Sequence, residues 1–464
     1  MSETKRFAYF KEVAIGASVG ALVLALVIVG FSVSGVTAGN NAGTGTTPSA
    51  SSSVASPTAT VAACLVTPQL SDSRLGNLQA LVVNAANDQV LLDVNGETPS
   101  ATASTMKLLT ASAAMQILGP NYRIATHIYR DPTDPSVIYF VGSGDPTLTR
   151  VAPGKQSVYQ NAPRLSDLAV QVNKAVGTTP ITKIVTDSTM FNGPQWLPSV
   201  DPAERTNGYL GLVSALEVDG DRNDPTKETS PRSATPELRA GTWLKQALGA
   251  NAAGATVVAG KLPTNATAIA TVSSQPISNW INHMLAVSDN TQAEYLARLV
   301  SLAQNMDGSF ASLDASSKQA LSSLGLDAGG SVILDGSGES PENAVSPAFM
   351  VKLVKQIFQG SGNLAIVKQS LPVSGESGSL KNRFKGDNID AAGKVFAKTG
   401  WIQHGYTLAG YITAKDGSNL LFAVYALGPT VVDNAKDAID ALVTGIYRCG
   451  AGLGNSAPTP SPTN

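Results

Sequence analysis

Residues 13 to 36 carry no charged side chain and are rich in Val, Ala, Leu and Ile. A run of that length is about enough to cross the apolar core of a bilayer as a helix, for which about 20 residues suffice. The folded body of the chain therefore has to be built from the residues beyond it. Lys5, Arg6 and Lys11 lie in the first 12 residues and are expected to stay on the cytoplasmic side, with everything after the run outside. A cleaved signal peptide is the competing expectation, because Val36-Thr37-Ala38 resembles a small-residue cleavage site. The apolar run is longer than usual for one, and the uncleaved anchor is preferred. Residues 37 to 63 are almost wholly Ala, Ser, Thr, Gly and Pro, which cannot bury a core, and are expected to form a flexible tether. Residues 451 to 464 share this character and read as a disordered tail.

At 464 residues the chain is too long for one ordinary core, so two or three domains are expected. Net charge is -2, from 32 basic and 34 acidic residues, and no basic patch stands out, which argues against a nucleic-acid partner. The three histidines, His127, His283 and His404, are scattered without ligand spacing, so neither a metal site nor any other cofactor is expected. His404 draws notice only because it closely follows a strand that carries Lys398. The two cysteines, Cys64 and Cys449, sit at the two edges of the ordered region. In an oxidising space that placement suggests a bridge tying the ends together. The chain-entropy model assigns so long a loop about 5 kcal/mol as an upper figure.

The chemistry begins at Ala103-Ser104-Thr105-Met106-Lys107, where a helix is expected to open. Residues three apart share a helix face, so the Lys107 amine can reach the Ser104 oxygen. A serine is a poor nucleophile until something takes its proton, and the lysine is the nearest candidate base. The pattern alone is weak: Ser2 and Lys5 repeat it by chance, just as Gly16-Ala17-Ser18-Val19-Gly20 matches a hydrolase elbow inside the apolar run. Order and company raise its weight, since Ser288-Asp289-Asn290 comes far downstream and Lys398-Thr399-Gly400 further still.

The periodicities place these motifs. Gln79 to Val94 reads as a hairpin turning at Asn84 to Asp88. The helix after Thr102, a candidate cap, shows Met106, Leu109, Ala113 and Ile117 on one face and stops at Gly119-Pro120. Ile277, Trp280, Ile281, Met284 and Leu285 form a second apolar face leading to Ser288, and Thr291 to Leu302 a helix beyond it. Ser346-Pro347 should cap another. The chain ends as strand (Lys394 to Trp401), hairpin (Leu408 to Thr413 and Leu420 to Leu427) and helix (Val432 to Tyr447), an α+β arrangement. Some 180 residues separate Lys107 from Ser288, more than an acyl-transfer domain needs, so residues 123–274 are expected to be an insertion between 64–122 and 275–450. It mixes strands (Val137 to Val141, Ile181 to Thr186, Ala255 to Val258) with a helix at Glu237 to Leu248.

The three motifs together resemble the signature of penicillin-binding proteins and class A β-lactamases. With the insertion, the chain resembles the D-alanyl-D-alanine carboxypeptidase/endopeptidase family, the DacB-like class C penicillin-binding proteins. The likeness extends to Gly144-Asp145-Pro146-Thr147-Leu148, Val213-Ser214-Ala215-Leu216 with Val218-Asp219-Gly220, Asp335-Gly336-Ser337-Gly338 and Leu371-Pro372-Val373-Ser374-Gly375, and covers about residues 75 to 447. It implies a penicillin-binding/β-lactamase-like transpeptidase domain split by an inserted α/β region, acting on the stem peptides of peptidoglycan and acylated by β-lactams. Two positions depart from the pattern. Glu339 comes after Asp335-Gly336-Ser337-Gly338 where the family usually has an apolar residue, and Trp401 after Lys398-Thr399-Gly400 where it often has Thr.

The resemblance implies acyl transfer to water. Ser104 attacks the carbonyl between two D-alanines, Lys107 takes its proton, and Ser288 relays a proton to the leaving amine. Asn290 binds the substrate amide, Lys398 and Thr399 receive the terminal carboxylate, and the N–H groups of Ser104 and Trp401, with Gly400 between motif and tryptophan, form the oxyanion hole. Two rivals remain. A β-lactamase-like hydrolase needs a deacylating carboxylate, and no loop between the first two motifs supplies one. A non-catalytic wall-binding or β-lactam-sensing membrane protein would not need the intact set of two serines and two lysines.

Overall fold

The computed structural model describes residues 64–429 and 431–454. The expected cytoplasmic segment, the anchor or signal run, the whole tether and the tail beyond residue 454 lie outside the described residues. Among the described residues no helix is long and apolar enough to cross a membrane.

A short helix α1 (Thr67–Leu70) precedes the expected hairpin, β1 (Asn77–Asn84) and β2 (Val90–Val94), which pair antiparallel with Val82 opposite Leu92. A 3-10 turn, Ala103–Thr105, then opens α2 (Met106–Ile117). The expected single apolar face understates this helix: every side chain from Met106 to Met115 is buried, as befits a helix at the centre of a body rather than on its surface. Thr102 does not cap it through its side chain. Instead its carbonyl accepts from the hydroxyls of Thr105 and Thr407, each at 2.7 Å.

Next come β3 (Ala125–Arg130), β4 (Val137–Val141), α3 (Leu165–Val176), β5 (Lys183–Asp187), α4 (Ala203–Asn207), α5 (Pro236–Leu248), β6 (Thr256–Ala259) and β7 (Thr267–Ser273). The strands form one sheet in the order β6-β5-β4-β3-β7, parallel across β4-β5-β6 and antiparallel at β3. Its core, with Ile128, Ile138, Phe140, Ile184, Leu168 and Leu244, is its own. The expected insertion is not uniformly separate, however. Phe191, Val213 and Ala215 pack into the main core with α2, so the stretch between β5 and α5 returns to the body that holds Ser104.

That body continues with α6 (Ile277–Val287), α7 (Asn290–Ala303), α8 (Leu313–Ser322), α9 (Pro347–Gln359) and α10 (Leu364–Gln369). Ser346 caps α9 by accepting from the Phe349 N–H, with Pro347 at the first turn. Then β8 (Val395–Ile402), β9 (Gly405–Thr413) and β10 (Asn419–Leu427) complete a sheet ordered β2-β1-β10-β9-β8, antiparallel throughout, and α11 (Ala435–Cys449) closes the fold. Alternate residues of β10 serve opposite faces. Leu420, Phe422, Val424 and Ala426 meet Ile439, Leu442, Val443 and Ile446 of α11, while Leu421, Ala423 and Tyr425 join the core around α2. The sheet is thus covered on both faces, the α+β layering expected.

Cys64 and Cys449 form a disulfide with their Cα atoms 5.4 Å apart. The tail expected from residue 451 starts later. Cys64 N–H donates to the Gly452 carbonyl and Gly454 N–H to the Cys64 carbonyl, both at 2.9 Å. The apolar side chain of Leu453 is buried by this pairing, which is why the chain stays with the body past the bridge.

Candidate active site

Ser104 stands on a turn that the surrounding backbone leaves no freedom. Ala103 has φ of 45°, a region costly for a residue with a Cβ and one that persists only where neighbours impose it. The imposing neighbours are two glycines. A Cβ on Gly338 would lie 1.9 Å from the Ala103 carbonyl oxygen, and one on Gly400 would lie 2.9 Å from the Ser104 nitrogen. The Asp335 to Gly338 loop and strand β8 therefore clamp the start of α2 from two sides, and only a missing side chain lets either approach.

The first pair forms as its spacing predicts: Lys107 Nζ donates to Ser104 Oγ at 2.7 Å. The same ammonium donates to Asn290 Oδ1 at 2.6 Å and to the Ser337 carbonyl at 2.8 Å, which uses its donors to the full. Ser288 ends α6 in a left-handed conformation, φ 65°, and Asp289 caps α7 by accepting from the Gln292 N–H. The motif therefore occupies the link between two helices, with Ser288 half-buried and turned to the cleft. Lys398 of β8 donates to Ser288 Oγ at 2.9 Å and to the Thr399 carbonyl at 2.8 Å. Thr399 Oγ1 donates to Ser379 Oγ at 2.7 Å. Trp401 is 46% exposed at the end of the motif, its ring tilted 6.3 Å from that of Tyr406.

Both lysines are fully buried. Burial pushes Lys107 down to about 8, against the upward pull of Glu339, Glu294, Asp335 and Asp289. Burial, then the Lys107 charge, hold Lys398 well below its usual value. An amine that gives up its proton near neutrality and touches a serine hydroxyl can serve as that serine's base. An uncharged amine bonded to a second hydroxyl can pass a proton onward.

The structure brings Ser104, Lys107, Ser288, Asn290, Lys398, Thr399 and Gly400 to one cleft. Sequence reasoning missed their support. Glu294 of α7 accepts from the N–H groups of Gly336 and Ser337 at 3.1 and 2.9 Å. Asp335 accepts from the N–H groups of Gly338 and Ser340 at 2.8 and 2.7 Å. The available signal was Asp-Gly-Ser-Gly as turn chemistry. Arg222, from the insertion, pairs with Asp289 at 2.7 Å. Burial raises the Asp289 carboxyl, but Arg222 and His283 outweigh it and hold the group at about 2. His404, singled out by position, is exposed and faces the Pro429 carbonyl. His283 is the one beside the motif, 2.7 Å from Gln292 and 3.0 Å from Glu228. Glu228, His283 and Asp289 offer ligand atoms within 4.8 Å of one another, but the Asp289 charge is already matched by Arg222.

The D-Ala-D-Ala carboxypeptidase 3 (S13) family model matches residues 58–230 and 222–446. A protein named as a carboxypeptidase in Mycobacterium tuberculosis is 35% identical over 405 residues, 84% of this chain and 86% of its own length. Carboxypeptidase DacB of Mycolicibacterium smegmatis is 32% identical over 398 residues, 84% of each chain. Among solved structures, penicillin binding protein 4 of Haemophilus influenzae superposes with a TM-score of 0.68 at 19% identity, covering 80% of this chain and 95% of that one, a likeness of fold. The chain belongs to the D-Ala-D-Ala carboxypeptidase 3 (S13) family.

Proposed function

We propose that this serine-type D-alanyl-D-alanine peptidase of the cell wall works through an acyl-enzyme on Ser104, and that Lys107 is the base that frees the serine oxygen for attack. The observation that carries the assignment is the Lys107 Nζ to Ser104 Oγ contact of 2.7 Å within a fully buried environment that lowers the lysine to about 8. The Ser104 oxygen attacks the carbonyl of the penultimate D-alanine of a peptidoglycan stem peptide. Its proton passes to Lys107, and the tetrahedral oxyanion is held by the N–H groups of Ser104 and Trp401, whose strand packs against the turn at Gly400. Ser288, bonded to Lys398, gives a proton to the departing amine; Lys398 and Thr399 receive the free carboxylate; Asn290 aligns the substrate amide. Water then releases the acyl group. β-Lactams enter the same attack and remain on the serine as slowly hydrolysed acyl-enzymes.

Fluorescent penicillin should label the wild-type protein and fail to label Ser104→Ala; undiminished labelling would place the nucleophile elsewhere. Digestion of purified peptidoglycan, with products identified by mass, separates carboxypeptidase from endopeptidase action: free D-alanine marks the first, cleaved cross-bridges the second. We also propose that residues 13 to 36 anchor the catalytic body outside the cell membrane. Cell fractionation tests this, since a cleaved signal would instead leave soluble protein starting after Ala38.

A further inference from the structure

Glu339 is the residue of the cleft whose chemistry the reaction above does not use. Its carboxylate Oε1 accepts a short hydrogen bond from Asn290 Nδ2, and the Tyr209 carbonyl lies 3.3 Å from the same nitrogen. The other end of that amide, Oδ1, accepts from Lys107 Nζ at 2.6 Å, and Lys107 in turn touches Ser104 at 2.7 Å. A continuous chain therefore runs from Glu339 through the Asn290 amide and the Lys107 amine to the nucleophile. An amide has one acceptor end and one donor end. Fixing Nδ2 on a carboxylate turns Oδ1 toward the lysine, the orientation that an apolar residue at position 339 would not enforce.

We infer that Glu339 is a positioning residue that orients Asn290 toward Lys107 and, by its charge, sets the pH at which Lys107 can take the Ser104 proton. The inference rests on the assignment of Ser104 and Lys107 as nucleophile and base. The groups that face Lys107 are Glu339, Glu294, Asp335 and Asp289, which favour its charged form, and Lys398, which shares its site. Those facing Glu339 are Lys107, Glu204 and Asp335. Burial raises Glu339 to about 8, and the charge of Lys107 opposes that rise, so the two groups compete for protons in one pH range. Glu339 leads the carboxylates acting on Lys107. Removing its charge must then let Lys107 lose its proton at lower pH, because the leading anion that favours the ammonium form is gone.

The test is the pH dependence of the acylation rate by a fluorescent penicillin in wild type, Glu339→Gln and Glu339→Asp. The glutamine variant keeps an oxygen to accept from Asn290 but carries no charge; the aspartate variant keeps the charge. The acid limb of the rate profile should move down by about one pH unit in Glu339→Gln and stay near the wild-type position in Glu339→Asp. A glutamine profile that superimposes on wild type, or that moves up, overturns the role of Glu339 while leaving Ser104 and Lys107 in place. A wild-type protein that does not acylate at Ser104 overturns both readings. A merely structural role would lower the height of the profile without moving its limb.

Discussion

Replacing Arg222 with Met tests whether the inserted region is part of the catalytic frame. The guanidinium and the Asp289 carboxylate retain 2% and 0% of their side-chain exposure and meet at 2.7 Å. Arg222 also donates to the Tyr159 hydroxyl at 2.6 Å and to the Glu228 carbonyl at 3.1 Å. Methionine fills similar space without charge and leaves the buried Asp289 without its ion-pair partner. Breaking a buried pair in this way costs about 3–5 kcal/mol, which with a urea dependence of about 2–3 kcal/mol per molar displaces the unfolding midpoint by roughly 1–2.5 M. Trp280, buried on the helix that delivers Ser288, reports the transition by fluorescence. The pH dependence has a definite sign. In wild type the folded-state value of about 2 lies below the ordinary 3.8, so the pair's contribution is present above about 3.8 and fades as the pH falls toward 2. In Arg222→Met burial is opposed only by His283, the Gln292 N–H and Arg232, the carboxyl takes up a proton at higher pH, and the deficit should shrink on acidification. Arg222→Met/Asp289→Asn, which has no charge to bury and keeps a capping side chain, should recover most of the loss. A single variant within about 0.5 kcal/mol of wild type, a deficit independent of pH, or a double variant worse than the single would each refute the reasoning.

Lys398→Ala should raise KM for substrates with a free carboxylate more than for their amidated analogues; equal effects on both would remove Lys398 from the carboxylate site. Cys64→Ser should lower stability by about 2–5 kcal/mol with acylation of the folded protein little changed, and an unchanged urea midpoint would mean the bridge does not constrain the unfolded chain. Gly338→Ala, which puts a methyl 1.9 Å from the Ala103 carbonyl at φ +86°, should abolish penicillin labelling in protein that still folds or prevent folding outright; normal labelling would show that the turn carrying Ser104 tolerates displacement.

Legibility in the sequence tracks the range of the interactions involved. The Ser104 and Lys107 pair depends on helical spacing alone, and the hairpins β1-β2 and β9-β10 on alternation and turn residues, so each can be read within a short window. The strands β3 and β7 carry no comparable signal. Thr267–Ser273 mixes small and β-branched residues and is mostly exposed, a pattern too weak to separate from loop until β3 pairs with it. The apolar stripe on α2 is legible, but its burial on every side is not, because that depends on the elements packed around it. The ion pair of Arg222 with Asp289 joins residues 67 apart, and no local pattern distinguishes that arginine from any other. The role of Glu339 is visible in sequence only as a departure from the family pattern, and becomes chemistry once Asn290 links it to Lys107.

The two lysines share burial but not electrostatic company, and the difference assigns them different parts. Four carboxylates pull Lys107 toward its charged form, but burial outweighs them and brings it down to about 8, so its proton can leave near neutrality. Lys398 feels burial and the like charge of Lys107, both of which push it down, with no carboxylate among the causes of its shift. Under the proposed assignment, a substrate carboxylate at Lys398 supplies the anion that its surroundings lack and favours its ammonium form.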